Sequence, residues 1–468
     1  DLSRYRSQKQ PTIGFSSFFT LNVAMLSILF GVLCSLQLSN AGNLPTPVIG
    51  AYFPNWAQYR PSPATFTPTQ LSPIMSTINV LWYGFAYFCP NSSMVQPYWV
   101  TQLGLCQGKQ PFDVVPIETK DTQFYSEIMQ YKQQNSKLKV LISIGGWNFP
   151  SNFYSQMVSD KSSRTAFINS AKAFMSEYGF DGIDLDWEYP KSAARTDEVK
   201  ITCTQFDQTQ DEGGSAADGA NFVQLVSEMR SAMGADTIIT IASQADISKA
   251  NDEDIKGLFQ YIDMFNLMTY DFTVSDIADS PITAPNEPLY PPAKSSGVWN
   301  DSVSVTINGY LKAGIPASKM SVGIAYYGHS WYVPGLGSSS SNWCKFGLQA
   351  KIQGECCGPF AQTYGAKYGQ YSQLCGSYMY SEIESAGFET CFENTTQSNI
   401  GYMISPQDGY TAAGVWISYQ DTQSVQAIVN FAKSKNLGGA FAFDISMDSR
   451  SGSTFTYKLT KEIASLEG

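Results

Sequence analysis

Apolar, β-prone runs recur along this chain at 47–52, 80–87, 139–144, 182–186, 237–242, 264–268, 321–326 and 439–443. Helical patterning fills several of the gaps, at 123–134, 163–178, 220–233, 303–313 and 421–434. Strand runs alternating with helical ones are the mark of repeated βα units. Eight such strands predict an α/β fold, a (β/α)8 TIM barrel, whose chemistry sits at the C-terminal ends of the strands. The chain has 468 residues, long for one domain but suited to a barrel of about 250 residues carrying insertions.

The rhythm breaks between the seventh and eighth strands, where about 110 residues intervene. The part from 333 to 412 is rich in Gly, Ser, Tyr and Cys and reads as a small α+β insertion domain held by disulfides. The barrel then occupies 42–332 and resumes over 413–468. A second long loop, 191–219, follows the fourth strand, and its run Asp211-Glu212-Gly213-Gly214-Ser215 reads as flexible.

Residues 1–41 read as an export signal. Arg4, Arg6 and Lys9 precede an apolar run over 21–38, and Ser39-Asn40-Ala41 supplies a small-x-small cleavage pattern. The run approaches membrane-spanning length, so an uncleaved signal anchor is the competing reading. Asn22, Ser27, Ser35 and Gln37 dilute it and favour cleavage. The first residue is Asp1, and Met25 is another candidate start.

Of nine cysteines, Cys34 lies in that segment, leaving Cys89, Cys106, Cys203, Cys344, Cys356, Cys357, Cys375 and Cys391. An even set in an exported chain points to disulfides, with the pairing open. A zinc site is disfavoured by a single histidine, His329, and by the lack of paired CxxC spacing. The sequons at Asn91, Asn300 and Asn394 mark expected surface loops. Charged residues make up 15% of the chain, against about 25% in an average domain. The net charge is −11 and no basic cluster occurs, which argues against nucleic acid as a partner. Aromatics reach 14%, enough for a large core and for a groove offering flat apolar faces to an uncharged sugar chain.

The candidate chemistry lies in Asp181-Gly182-Ile183-Asp184-Leu185-Asp186-Trp187-Glu188. Residues i, i+2 and i+4 of a strand share one face, so Asp184, Asp186 and Glu188 point the same way. Ile183, Leu185 and Trp187 then face an apolar layer. Three aligned carboxyls repel and cannot all ionise cheaply, which suits proton sharing and delivery near neutral pH. Asp181 has the opposite parity and sits at the strand start, where a structural hydrogen-bonding role is expected. Ser143 is expected to bond Asp184 or its neighbours, and without a His-bearing triad it is not a nucleophile. Gly145 and Gly146 permit close backbone approach and are not a phosphate loop.

The chain resembles the glycoside hydrolase family 18 chitinases, of the animal-type branch with an insertion before the last strand. The matches are Asp181, Asp184, Asp186 and Glu188 for DxxDxDxE, Ser143-Ile144-Gly145-Gly146-Trp147, and Met268-Thr269-Tyr270-Asp271. The stretch Tyr52-Phe53-Pro54-Asn55-Trp56-Ala57-Gln58-Tyr59-Arg60 resembles the family's first strand and loop. Tyr83-Gly84-Phe85-Ala86, the 314–319 segment and Trp416-Ile417-Ser418-Tyr419 add further matches in family order.

The resemblance implies an enzyme acting on chitin and chitooligosaccharides. The N-terminal signal makes it an expected secreted protein, a monomer is the default expectation, no metal or organic cofactor is implied, and no membrane partner is expected unless the N-terminal segment stays uncleaved. The resemblance also implies a retaining, substrate-assisted reaction. Glu188 would be general acid and then base, and Asp186 would hold the acetamido N–H. Asp184 would share a proton with Asp186, and Tyr270 would orient the acetamido carbonyl. Tyr52, Trp56, Phe85, Gly146, Trp147, Tyr189, Met268, Asp271, Tyr327, His329 and Phe443 would line the substrate groove. Trp331 and Trp416 are candidates either for the groove or for packing. Two positions depart from the family: Phe443 stands where a Trp usually floors the reacting sugar, and His329 where an Arg is common. The rivals are a chitin-binding lectin on the same fold and an enzyme cutting within N-linked glycans. The insertion, as an added groove wall, argues against the second.

Overall fold

A computed structural model of the protein describes residues 44–94, 96–191, 213–274, 282–350, 376–405 and 413–467. The N-terminal segment 1–41, with Cys34, and also Cys203, Cys356, Cys357, Cys375 and most of the 191–219 loop lie outside the described residues.

The strands in chain order are β1 Val48–Pro54, β2 Val80–Phe88, β3 Val114–Pro116, β4 Lys139–Gly145, β5 Gly182–Asp186, β6 Ile238–Ser243, β7 Met264–Leu267 and β8 Met320–Ala325. They are followed by β9 Tyr327–Tyr332, β10 Ser377–Met379, β11 Glu389–Glu393, β12 Ser398–Tyr402, β13 Val415–Tyr419 and β14 Gly439–Phe443. The parallel strands run β1-β14-β8-β7-β6-β5-β4-β2, and β2 pairs back onto β1, closing the expected eight-stranded barrel. The short β3 adds antiparallel to β2 outside the ring.

The barrel is a packed core. Tyr52 stacks on Trp82 at 5.1 Å, and Phe441 packs on both from β14. On the outer face of β5, Ile183, Leu185 and Trp187 are buried as their parity requires. Trp187 stacks on Tyr154 at 5.2 Å and donates its indole N–H to Ser151 Oγ at 2.7 Å. Fixing that indole fixes the chain direction just before Glu188. The helix Lys161–Tyr178 packs against β5 with a clear start and stop. Asp160 caps its first turn, and Gly179 ends it in the left-handed region.

Between β8 and β14 the chain builds a second, antiparallel sheet in the order β10-β9-β13-β12-β11. Its strands β9 and β13 lie outside 333–412, so this sheet starts at Tyr327 and ends at Tyr419. The reason is register: Trp331 pairs with Trp416, and their rings meet edge to face at 5.5 Å. Both are fully buried and, with Val333, Trp343, Ile400 and Tyr402, form the sheet's own core. They are packing residues. Disulfides join Cys89 to Cys106 and Cys344 to Cys391. The second staples β11 to the segment after β9. Asn91 is half-buried, and Asn300 and Asn394 are exposed, all three outside strands and helices. Among the described residues no helix is long and apolar enough to cross a membrane.

Candidate active site

Asp184 is fully buried in the barrel mouth, in register with Ser143 on β4 and Thr240 on β6. Its Oδ2 accepts from the Ser143 hydroxyl at 2.7 Å and the Tyr52 phenol at 2.9 Å. Its Oδ1 accepts from the Thr240 hydroxyl at 2.6 Å and Asn266 Nδ2 at 3.3 Å. Trp82 Nε1 can only donate, and it holds Thr240 Oγ1 at 3.0 Å, which leaves the Thr240 hydroxyl proton free to point at Asp184. Burial pushes the Asp184 carboxyl up, and these four hydrogen bonds oppose it. Those four hydrogen bonds favour the ionised form, against the burial.

Two residues on, Asp186 is almost fully buried, and its Oδ1 has no hydrogen-bond partner among the described residues. A buried carboxylate oxygen left open is costly unless something else fills it. Burial raises its pKa well above the ordinary carboxylate value, and Glu188, Asp184 and Glu253 add to the rise. Glu188 follows at the end of β5 and is 8% exposed. Burial pushes its carboxyl up to about 7, Tyr189 opposes by a hydrogen bond, and Asp271 adds to the rise. Asp186 and Glu188 titrate as one interacting pair.

The glycines after β4 make this closeness possible. A Cβ on Gly145 would sit 2.1 Å from the Asp186 carbonyl oxygen, and Gly146 donates its N–H to the same oxygen at 2.9 Å. Both residues have positive φ, at 112° and 91°. A Cβ on Gly146 would meet the Phe85 ring at 2.8 Å, so that aromatic can close over the backbone only because residue 146 has no side chain. Phe85 in turn stacks on Trp56 at 5.7 Å, and Trp147, next after Gly146, is 38% exposed. Tyr189 is half-buried, and its carbonyl accepts from Ser151 Oγ at 2.7 Å.

Tyr270, after β7, stacks on Phe443 at 5.5 Å, and Tyr52 meets Phe443 at 5.6 Å. Met268 is half-buried and is held by its N–H to the Ser243 carbonyl. Asp271 adopts a left-handed φ of 55°, with its N–H on Asn286 Oδ1. One carboxylate oxygen accepts from the Tyr327 phenol at 2.8 Å, and the other lies 2.7 Å from His329 Nε2. Tyr327 and His329 come from β9, so the inserted sheet reaches into the barrel mouth. Asp181, at the opposite end of the strand, accepts from the Val140 N–H and pairs with Lys132 at 3.0 Å, a structural role.

Thr240 and Asn266 were not among the candidates that sequence reasoning singled out. Each is a polar residue within a predicted apolar strand, and a buried polar side chain needs partners, which was the available signal. Glu253, buried near the acids, carried no such signal.

A closed parallel barrel with a row of carboxylates leaving the C-terminal end of one strand is the architecture of a barrel-fold glycosidase. The profile of the Glycosyl hydrolases family 18 matches residues 48–448, and the chain belongs to that family. It is 28% identical to Chitinase A1 of Niallia circulans, over 90% of this chain and 60% of that protein. It is 27% identical to Chitotriosidase-1 of Mus musculus, over 86% of this chain and 73% of that one. The chain thus spans less than two thirds of the bacterial relative's length. Human YKL-39, described as a pseudo-chitinase with retained chitooligosaccharide binding, shares the fold with a TM-score of 0.68 at 24% identity, covering 91% of this chain and 100% of that one. Family membership therefore leaves catalysis to be argued from the site.

Proposed function

We propose that this protein is an exported chitinase that hydrolyses β-1,4-linked N-acetylglucosamine chains with retention of configuration. The observation that carries the reading is the unpartnered, buried Oδ1 of Asp186, between a saturated Asp184 and a Glu188 carboxyl raised to about 7. An acetamido N–H would fill that open acceptor.

Glu188, protonated near neutral pH, donates to the glycosidic oxygen as the C–O bond breaks. The carbonyl oxygen of the sugar's own 2-acetamido group attacks C1 and forms an oxazolinium. Asp186 accepts from the acetamido N–H and balances the positive charge. Tyr270 donates to the acetamido oxygen and aims it. A water then attacks C1, Glu188 takes its proton, and the acetamido group is restored. Asp184, held by four hydrogen bonds that favour its charged form, serves in this reading as the negative charge behind Asp186, and Asp186 and Glu188 share the proton. Trp56, Phe85, Gly146, Trp147, Tyr189, Met268, Asp271, Tyr327, His329 and Phe443 line the groove in this reading. Following the anomers released from a chitooligosaccharide tests it: the first product should be the β-anomer, and an initial α-anomer sinks the mechanism.

The second reading is a chitooligosaccharide-binding lectin. Phe443 favours it, since a phenyl floor covers less of the reacting sugar than an indole. The complete carboxylate set favours the enzyme.

A further inference from the structure

Glu253 lies outside the acid strand, in the single turn Asn251–Glu253, and is 1% exposed. One of its carboxyl oxygens meets the Ser243 hydroxyl at the end of β6, and the other accepts from the Gln244 N–H at 3.1 Å. Ser243 Oγ is also 2.7 Å from Tyr310 Oη, and that phenol donates to the Gln244 carbonyl at 2.7 Å. Ser243 and Tyr310 are fully buried.

Three oxygen–oxygen contacts in a row need three protons. The carbonyl brings none, and Ser243 and Tyr310 bring one each. Tyr310 spends its proton on the carbonyl, so Ser243 gives its own to Tyr310. The remaining contact has a proton only if Glu253 carries it.

We propose that Glu253 is a positioning residue that works as a neutral carboxylic acid donating to Ser243, fixing the end of β6 beside the acid strand without adding a further negative charge there. Its segment also holds the chain that leaves the acid strand, since the neighbouring Asp252 pairs with Lys191 at 3.0 Å. The groups facing Glu253 are Asp252 on its own turn, Glu188 and Asp186 on the acid strand, Tyr189 after them, and Tyr310 on the helix Val303–Ala313. No cation pairs with it among the described residues. Burial pushes its carboxyl up to about 8, the Gln244 N–H opposes, and the charges of Asp252 and Glu188 add to the rise. A carboxyl kept neutral by an apolar site so that it can donate is a known device.

The effect on catalysis rests on the chitinase reading, whereas the protonation state does not. Glu253→Gln replaces the O–H donor by an N–H donor and keeps the carbonyl acceptor, so it copies the neutral acid. An unfolded glutamate ionises near about 4.3, whereas the folded one resists ionisation, so the parent loses stability as pH rises between the two values. The melting temperature of Glu253→Gln relative to the parent should therefore climb steadily from about pH 5 to about pH 8. Infrared spectra of the parent at about pH 6 should contain a protonated-carboxyl band that Glu253→Gln lacks. With chitooligosaccharide, Glu253→Ala should lower kcat about tenfold, and Glu253→Gln should restore most of it. A Gln variant that melts below the parent by a growing margin at higher pH, or by a margin that pH does not change, overturns the proposal. Inactivity of the parent itself would count against the chitinase reading alone, and the melting and infrared results would still decide this one.

Discussion

The Phe443 ring lies 5.5 Å from the Tyr270 ring at an interplanar angle of 23°, so the floor of the barrel mouth stacks on the tyrosine proposed to aim the acetamido group. A sugar resting on Phe443 would meet a six-membered apolar face where an indole would extend further.

Phe443→Trp should therefore tighten substrate binding. Aromatic contacts add about 0.5–1.5 kcal/mol beyond burial, so KM for a chitooligosaccharide should fall roughly two- to tenfold. Steady-state kinetics of the variant test this. An unchanged KM would mean that Phe443 does not touch the sugar.

Asp184→Asn should be damaging although it conserves shape. Asn266 Nδ2 can only donate to Oδ1, and the Thr240, Ser143 and Tyr52 hydroxyls point their protons at the same carboxyl. An amide NH2 would displace hydroxyl protons now aimed at Asp184, at a cost of about 1–3 kcal/mol. The melting temperature should drop and kcat should fall by about a hundredfold, because the fixed charge behind Asp186 is gone. Thermal unfolding and turnover of the same preparation measure both.

Activity and stability should both decline toward alkaline pH. Glu188 must be protonated to act as the acid, so kcat should fall as pH rises through about 7. The stability argument has the same sign. The buried carboxyls of Asp186, Glu188, Glu253 and Glu287 all have raised folded-state pKa values, with burial as the leading cause. Each contributes stability fully present below its unfolded value, about 3.9 for Asp and about 4.3 for Glu, and lost as pH climbs through its folded value. For Glu188 and Glu253 that window closes at about 7 and about 8. Melting curves should show a higher transition at about pH 5 than at about pH 8. A flat or rising trend would contradict the neutral state of these groups.

Replacing Cys344 and Cys391 together by Ser should destabilise the inserted sheet. The bond closes a separation of 47 residues, for which the loop-entropy account gives about 4 kcal/mol. A lower melting transition with secondary structure retained at room temperature is the expected result in calorimetry and circular dichroism.

Much of this site was legible because a strand has period two. Asp184, Asp186 and Glu188 had to share a face, and Ile183, Leu185 and Trp187 had to be buried behind it. Trp331 and Trp416 could not be assigned in the same way. A tryptophan near a strand end satisfies either a groove or a core, and only the β9–β13 register decided between them. Glu253 was invisible for a different reason. Its partner Ser243 comes from a barrel strand and Tyr310 behind Ser243 from an outer helix, and a glutamate in a short turn looks solvated until those elements are assembled. His329 was expected at the groove, and its contact with Asp271 needed the inserted sheet to bring β9 beside the loop after β7.

The most direct test compares chitooligosaccharide turnover and binding by the parent protein and by Glu188→Gln. The account predicts turnover in the parent, a loss of at least about a thousandfold in kcat in the variant, and binding retained within a few-fold in both. Binding without turnover in the parent would contradict it and leave a chitooligosaccharide lectin.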